Sequence, residues 1–129
     1  MIWLRIGLLF GVLAIILGAL GAHALKDILD ENALESFNTA VRYQTYQAFA
    51  LLFLGLYSLY FQKSVNLIGV LLTIGTLMFS GSIYALVAFR YLEMPYRFFG
   101  PITPLGGLVI IAGWGSWFVQ TFQTKVATK

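Results

Sequence analysis

The chain has 129 residues, 60% of them hydrophobic and 10% charged, with a formal net charge of +3. Soluble domains are about 45–50% apolar and about 25% charged, so a soluble globular fold is excluded. Nucleic acid is excluded as a partner too: the eight basic residues stand singly at the ends of apolar runs, whereas phosphate binding needs them clustered on one face.

Four uncharged runs set the class: Ile6–Leu25, Tyr43–Gln62, Ser64–Phe89 and Phe98–Thr124, of 20, 20, 26 and 27 residues. A helix needs roughly 20 apolar residues to cross a bilayer core. The sequence therefore predicts an all-α membrane protein, a single domain over residues 1–129. Its four transmembrane helices form an antiparallel bundle, with a short interfacial helix between helices 1 and 2.

Helix 1, about Ile6–Leu25, places Gly7, Gly11, Ala14, Gly18 and Ala22 on one face. Lipid gives helices no hydrophobic reason to associate, so close backbone approach along small residues is the expected packing device. Arg5 and Ala22-His23-Ala24 imitate a signal peptide, but the apolar stretch is longer than the usual 7–15 residues, and the segment reads as a retained span. The segment Lys26–Arg42 holds four of the five acids, Asp27, Asp30, Glu31 and Glu35, with Leu34, Phe37 and Val41 at helical spacing. Asp30 suits an N-cap and Glu31 the first turn, which predicts a helix lying on the membrane surface.

Helix 2, about Tyr43–Phe61, turns Gln44, Ala48, Leu51, Gly55 and Ser58 inward. Helix 3, about Val65–Phe89, does the same with Gly69, Thr73, Thr76, Ser80 and Tyr84. Pro95 breaks the chain in an aromatic connection over Arg90–Gly100. Thr103-Pro104 reads as N-cap and first residue of helix 4, which carries Gly106, Gly113 and Gln120 one heptad apart beside Trp114 and Trp117. The predicted packing contacts are Gly7, Gly11, Gly18, Gly55, Gly69, Ser80, Gly106 and Gly113.

With four spans, Arg5, Lys63, Lys125 and Lys129 share one side, and Lys26, Arg42, Arg90 and Arg97 the other. The basic residues tie. The free amino terminus, and the location of every acid on the second side, favour both termini in the cytoplasm of a multi-pass inner-membrane protein.

Chemistry is sparse. No charged residue lies mid-span, so a proton-coupled pump lacks its buried charge. Without cysteine there are no disulfides, thiol nucleophiles or thiolate metal sites. His23, the single histidine, aligns with Asp27 and Asp30 at steps of 4 and 3, but an exposed helix end meeting headgroups explains the trio better than a metal. Ser80-Gly81-Ser82 has no evident base, and Gly106-Gly107 lacks the lysine of a phosphate loop. The expectation is thus no catalytic set, no metal and no cofactor. The densest polar group, His23, Asp27, Tyr43, Gln44 and Gln47, is a candidate shallow pocket for a lipid headgroup or small solute, with an interfacial belt as the competing reading.

Gly21-Ala22-His23-Ala24-Leu25, Tyr43-Gln44, Phe79-Ser80-Gly81-Ser82-Ile83-Tyr84 and Thr103-Pro104-Leu105-Gly106-Gly107 with Gly113-Trp114 stand in this order. Together they resemble the small bacterial inner-membrane proteins of the YgdD/YwdK type, the domain of unknown function 423. The resemblance implies four membrane helices and brings no activity, substrate or cofactor. Such proteins commonly carry a histidine shortly after the Tyr-Gln pair, where this chain has Gln47, which argues against any two-histidine role here. The functional expectation is a non-enzymatic membrane protein that binds membrane lipid, a protein partner or copies of itself. A channel or carrier for a small neutral solute, lined by Thr73, Thr76, Ser80, Ser58 and Gln44, is the alternative.

Overall fold

The computed structural model describes residues 1–123. Lys125 and Lys129, two of the basic residues that bear on orientation, lie outside the described residues. The regular elements among the described residues are all helices: α1 (Ile2–Ala22), α2 (Glu31–Phe61), α3 (Asn66–Tyr91) and α4 (Ile102–Phe122), with one-turn 3-10 segments at Leu25–Asp27 and Arg97–Phe99. Among the described residues, three segments are long and apolar enough to cross a membrane: Ile2–Asp27, Asn66–Tyr91 and Arg97–Phe122.

The separate interfacial helix is not found. From Glu31 the backbone runs without a break through Tyr43 to Phe61, so residues 31–42 are the first three turns of α2. The reason is local: no glycine or proline falls between Glu31 and Leu54, and a change from charged to apolar side chains alters surroundings, not backbone preference. Asp30 does cap this helix, its side chain accepting the Ala33 N–H at 2.9 Å. At about 1.5 Å per residue α2 is about 46 Å long, more than the roughly 30 Å of a bilayer core.

The other end effect is at α4, which starts at Ile102 with Pro101 before it and no side-chain cap. Thr103 is therefore not the N-cap. Its hydroxyl instead meets that of Ser82 on α3 at 2.6 Å. Pro104 still falls in the first turn, where its missing N–H breaks no helical bond.

Glycine sets the helix spacing. Built onto Gly7, a Cβ falls 2.9 Å from the Ala48 carbonyl oxygen; on Gly55 it falls 2.6 Å from Leu4, and on Gly113 2.8 Å from Leu72. Gly69 lies under the Trp3 ring, and Gly106 against the Met78–Phe79 backbone. Gly18 has Val41 at 3.4 Å, whereas Gly11 has nothing closer than Ala48 at 4.0 Å. Rising numbers on α1 meet falling numbers on α2, as Leu4 against Gly55 and Gly21 against Phe37 show. The same holds for α3 against α4, with Gly75 at Ile110 and Met78 at Gly106.

Two apolar clusters fill the interior. One joins Trp3, Phe10, Leu51, Leu54, Leu72 and Ile110; the other joins Ala33, Phe37, Ala40, Ile83 and Val87. The second buries the early turns of α2 against α3. Outward faces such as Leu8, Ile15, Phe53, Leu67 and Leu108 are exposed, as lipid-facing residues must be.

Candidate functional site

The polar interior is built around two glutamines of α2. Gln44 and Gln47 are 6% and 4% exposed, the depth at which an unbonded amide costs most. A primary amide offers two donors and an acceptor, and here both ends are used. The Gln44 Nε2 donates to the Phe10 carbonyl of α1 at 3.0 Å, and its Oε1 accepts the Tyr84 hydroxyl of α3 at 2.9 Å. The Gln47 Oε1 accepts the indole N–H of Trp114 on α4 at 3.3 Å. One helix thus holds the other three through two side chains.

Hydroxyls extend the network. Ser80 donates to the Ala40 carbonyl at 2.8 Å, tying α3 to α2, and Ser82 with Thr103 ties α3 to α4. Thr76 bonds its own helix, donating to Leu72 at 2.6 Å, so it is not an interhelical contact. Ser58 likewise turns to the Lys63 carbonyl at the helix end. Thr73 Oγ1 and Trp3 Nε1 are buried without a hydrogen-bond partner among the described residues.

Beside this network a cleft of about 200 Å³ lies between α1 and α3, lined by Phe10, Leu13, Leu17, Gln44, Ser80 and Tyr84 among others. Of the five residues picked out as a polar pocket, the cleft takes Gln44 alone. Gln47 is buried towards α4; Tyr43 is exposed with its ring 4.7 Å from that of Phe79; His23 and Asp27 are exposed around the end of α1. His23 is the C-cap of α1, and its N–H bonds the Ala19 carbonyl. Among the described residues no group of three or more His, Asp or Glu side chains is placed to hold a metal ion.

The partners Tyr84, Trp114 and the Phe10 carbonyl were not legible as partners. A buried amide in an apolar helix announces that it needs donors and acceptors, but sequence spacing along one helix does not say which neighbour supplies them. Between α2 and α3 a further polar contact is the ion pair of Asp30 with Arg90 at 3.0 Å, both about half exposed.

The family model described as a protein of unknown function, DUF423, matches residues 17–107. A UPF0382 membrane protein of Staphylococcus haemolyticus is 35% identical over 122 residues, covering 95% of this chain and 96% of its own. One from the fission yeast Schizosaccharomyces pombe is 36% identical over 119 residues, covering 92% and 98%. The UPF0382 membrane protein YwdK of Bacillus subtilis is 33% identical over 120 residues, covering 88% and 89%. No solved structure matches. With helices able to span a bilayer and a match over nearly the whole length of relatives named as membrane proteins, this chain is an integral membrane protein belonging to the DUF423 family.

Proposed function

We propose that the chain crosses the cell's inner membrane four times as one antiparallel bundle, with both termini in the cytoplasm. It acts by binding a membrane component, a protein or a second copy of itself, rather than by catalysis or transport. For α2 as the fourth span, the support is its uncharged half, Tyr43–Phe61, packed against α1 and α3. The observation that carries the binding reading is the closed polar interior. Gln44, Gln47, Ser80, Ser82 and Tyr84 direct hydrogen bonds to other helices, as a packing role requires and a water-lined pathway does not.

Single cysteines at Thr73, Thr76 and Ser80 test this in a chain with no background thiol. In a dry interior the thiolate hardly forms, so a membrane-impermeant thiol reagent should leave Thr73→Cys and Thr76→Cys unlabelled and Ser80→Cys at most slightly labelled. Rapid labelling of Thr76→Cys from either side sinks the binding reading and puts a carrier for a small neutral solute in its place.

A further inference from the structure

Helix packing fixes the depth of Arg42, which the sequence sets at the end of an apolar run. The uncharged run Ile6–Leu25 has its middle at Ile15 and Ile16, and Gly18, less than a turn beyond, faces Val41 of α2. The run Ser64–Phe89 has its middle at Thr76 and Leu77, and Ser80, about one turn beyond, donates to the Ala40 carbonyl. Both alignments bring Arg42 to within about 5 Å of mid-span at 1.5 Å per residue. At this depth the neighbouring helices expose apolar side chains, Ile15 and Ile16 on α1, Leu77 on α3 and Leu108 on α4.

Arg42 is itself exposed, with Asn38 one turn before it and Tyr46 one turn after it on the same outward face of α2, both exposed as well. Charged groups at such a depth are costly to leave in hydrocarbon and pair with one another or with backbone carbonyls. Among the described residues no carboxylate pairs with Arg42; the ion pair present joins Asp30 to Arg90. Along α2 the nearest acid is Glu35, seven residues or about 10 Å towards the helix start, and Asp27, Asp30, Glu31 and Glu93 lie nearer still to that end of the bundle. A second copy related by a two-fold axis along the membrane normal leaves the charge unanswered, because it sets Arg42 opposite Arg42 at one depth.

We propose that the face of α2 at Asn38, Arg42 and Tyr46 docks a transmembrane helix of another protein, one that carries an aspartate or glutamate at the depth of Arg42. Charge complementarity selects this occupant: the guanidinium needs a carboxylate, and every acid of this chain lies at a different level. The proposal rests on the binding reading above and names the partner's chemistry.

The test uses the full chain in phosphatidylcholine vesicles with three single-span probe peptides of leucine and alanine: one with aspartate at its centre, one with aspartate two turns off centre, and one wholly apolar. Association is read by energy transfer from a fluorophore on Lys63→Cys, in a chain with no other thiol. The central-aspartate peptide should bind about tenfold tighter than the apolar one, and the off-centre peptide less tightly than the central one. Arg42→Leu should abolish the preference and Arg42→Lys should keep it; the side chain points outward, so neither change disturbs the core. Equal binding of the central-aspartate and apolar peptides overturns the proposal, as does a preference that survives Arg42→Leu. So does energy transfer between two differently labelled copies that Arg42→Leu abolishes, which would make a second copy the occupant. A preference lost on adding phosphatidylglycerol would assign Arg42 to lipid phosphate and likewise overturn it. If the peptide shows no preference while Thr76→Cys stays unlabelled, the binding reading stands and only this partner falls.

Discussion

Replacing Gln44 with leucine keeps the volume roughly constant and removes both interhelical bonds, to the Phe10 carbonyl and from the Tyr84 hydroxyl. Interhelical hydrogen bonds in membranes are worth about 0.6 kcal/mol on average and up to about 1.7, so losing two costs about 1–3 kcal/mol. The Tyr84 hydroxyl left behind without its acceptor carries a desolvation cost of about 1–3 kcal/mol. These two costs overlap at the Tyr84 bond, and Gln44→Leu should destabilise by about 2–4 kcal/mol in all. Tyr84→Phe alone forfeits one bond and leaves an amide oxygen unpaired, about 1–2 kcal/mol. In the Gln44→Leu background, however, Tyr84→Phe deletes a hydroxyl that has become a liability, so the same change should stabilise. A double-mutant cycle by steric trapping in mild detergent reads the sign directly, with a coupling of at least about 1 kcal/mol expected. If Tyr84→Phe destabilises equally in both backgrounds, the glutamine is not the hydroxyl's partner in the membrane and the network is wrong.

Clearance at the glycines predicts a ranking in thermal unfolding. Gly106→Ala, which drives a methyl into the α3 backbone at Met78, should cost about 2 kcal/mol or more, whereas Gly81→Ala and Gly115→Ala, open within 4 Å, should be neutral to slightly stabilising. Equal effects at Gly106 and Gly115 would mean that α4 does not pack as described. At the start of α2, Asp30→Ala should lose about 1 kcal/mol and Asp30→Ser much less, because the cap outweighs an ion pair about half exposed to solvent. Arg90→Met, by the same reasoning, should cost under about 1 kcal/mol, and a larger loss would give the pair the greater share. Reporter fusions should place the C-terminus in the cytoplasm and an insertion within residues 26–42 on the opposite side; termini on opposite sides would refute an even number of spans.

What the sequence determined by itself is what depends on transfer between water and lipid. Runs such as Ser64–Phe89 are too long and apolar for any other solvent, and small residues recurring every three or four positions mark faces where backbones approach. Asp30 as a cap was legible because capping is settled within four residues. Other features waited for the tertiary structure because they join residues from different helices or depend on the space between them. The charge boundary at Arg42 marked a change of surroundings, yet the α2 backbone continues across it while Ala33, Phe37 and Ala40 find Ile83 and Val87 to bury against. Gly7 and Gly11 look alike in sequence, but only packing makes one tight and the other loose. Gln44 announced a need for partners, and only the approach of three helices decided that the Phe10 carbonyl and the Tyr84 hydroxyl, rather than His23 or Tyr43, would meet it.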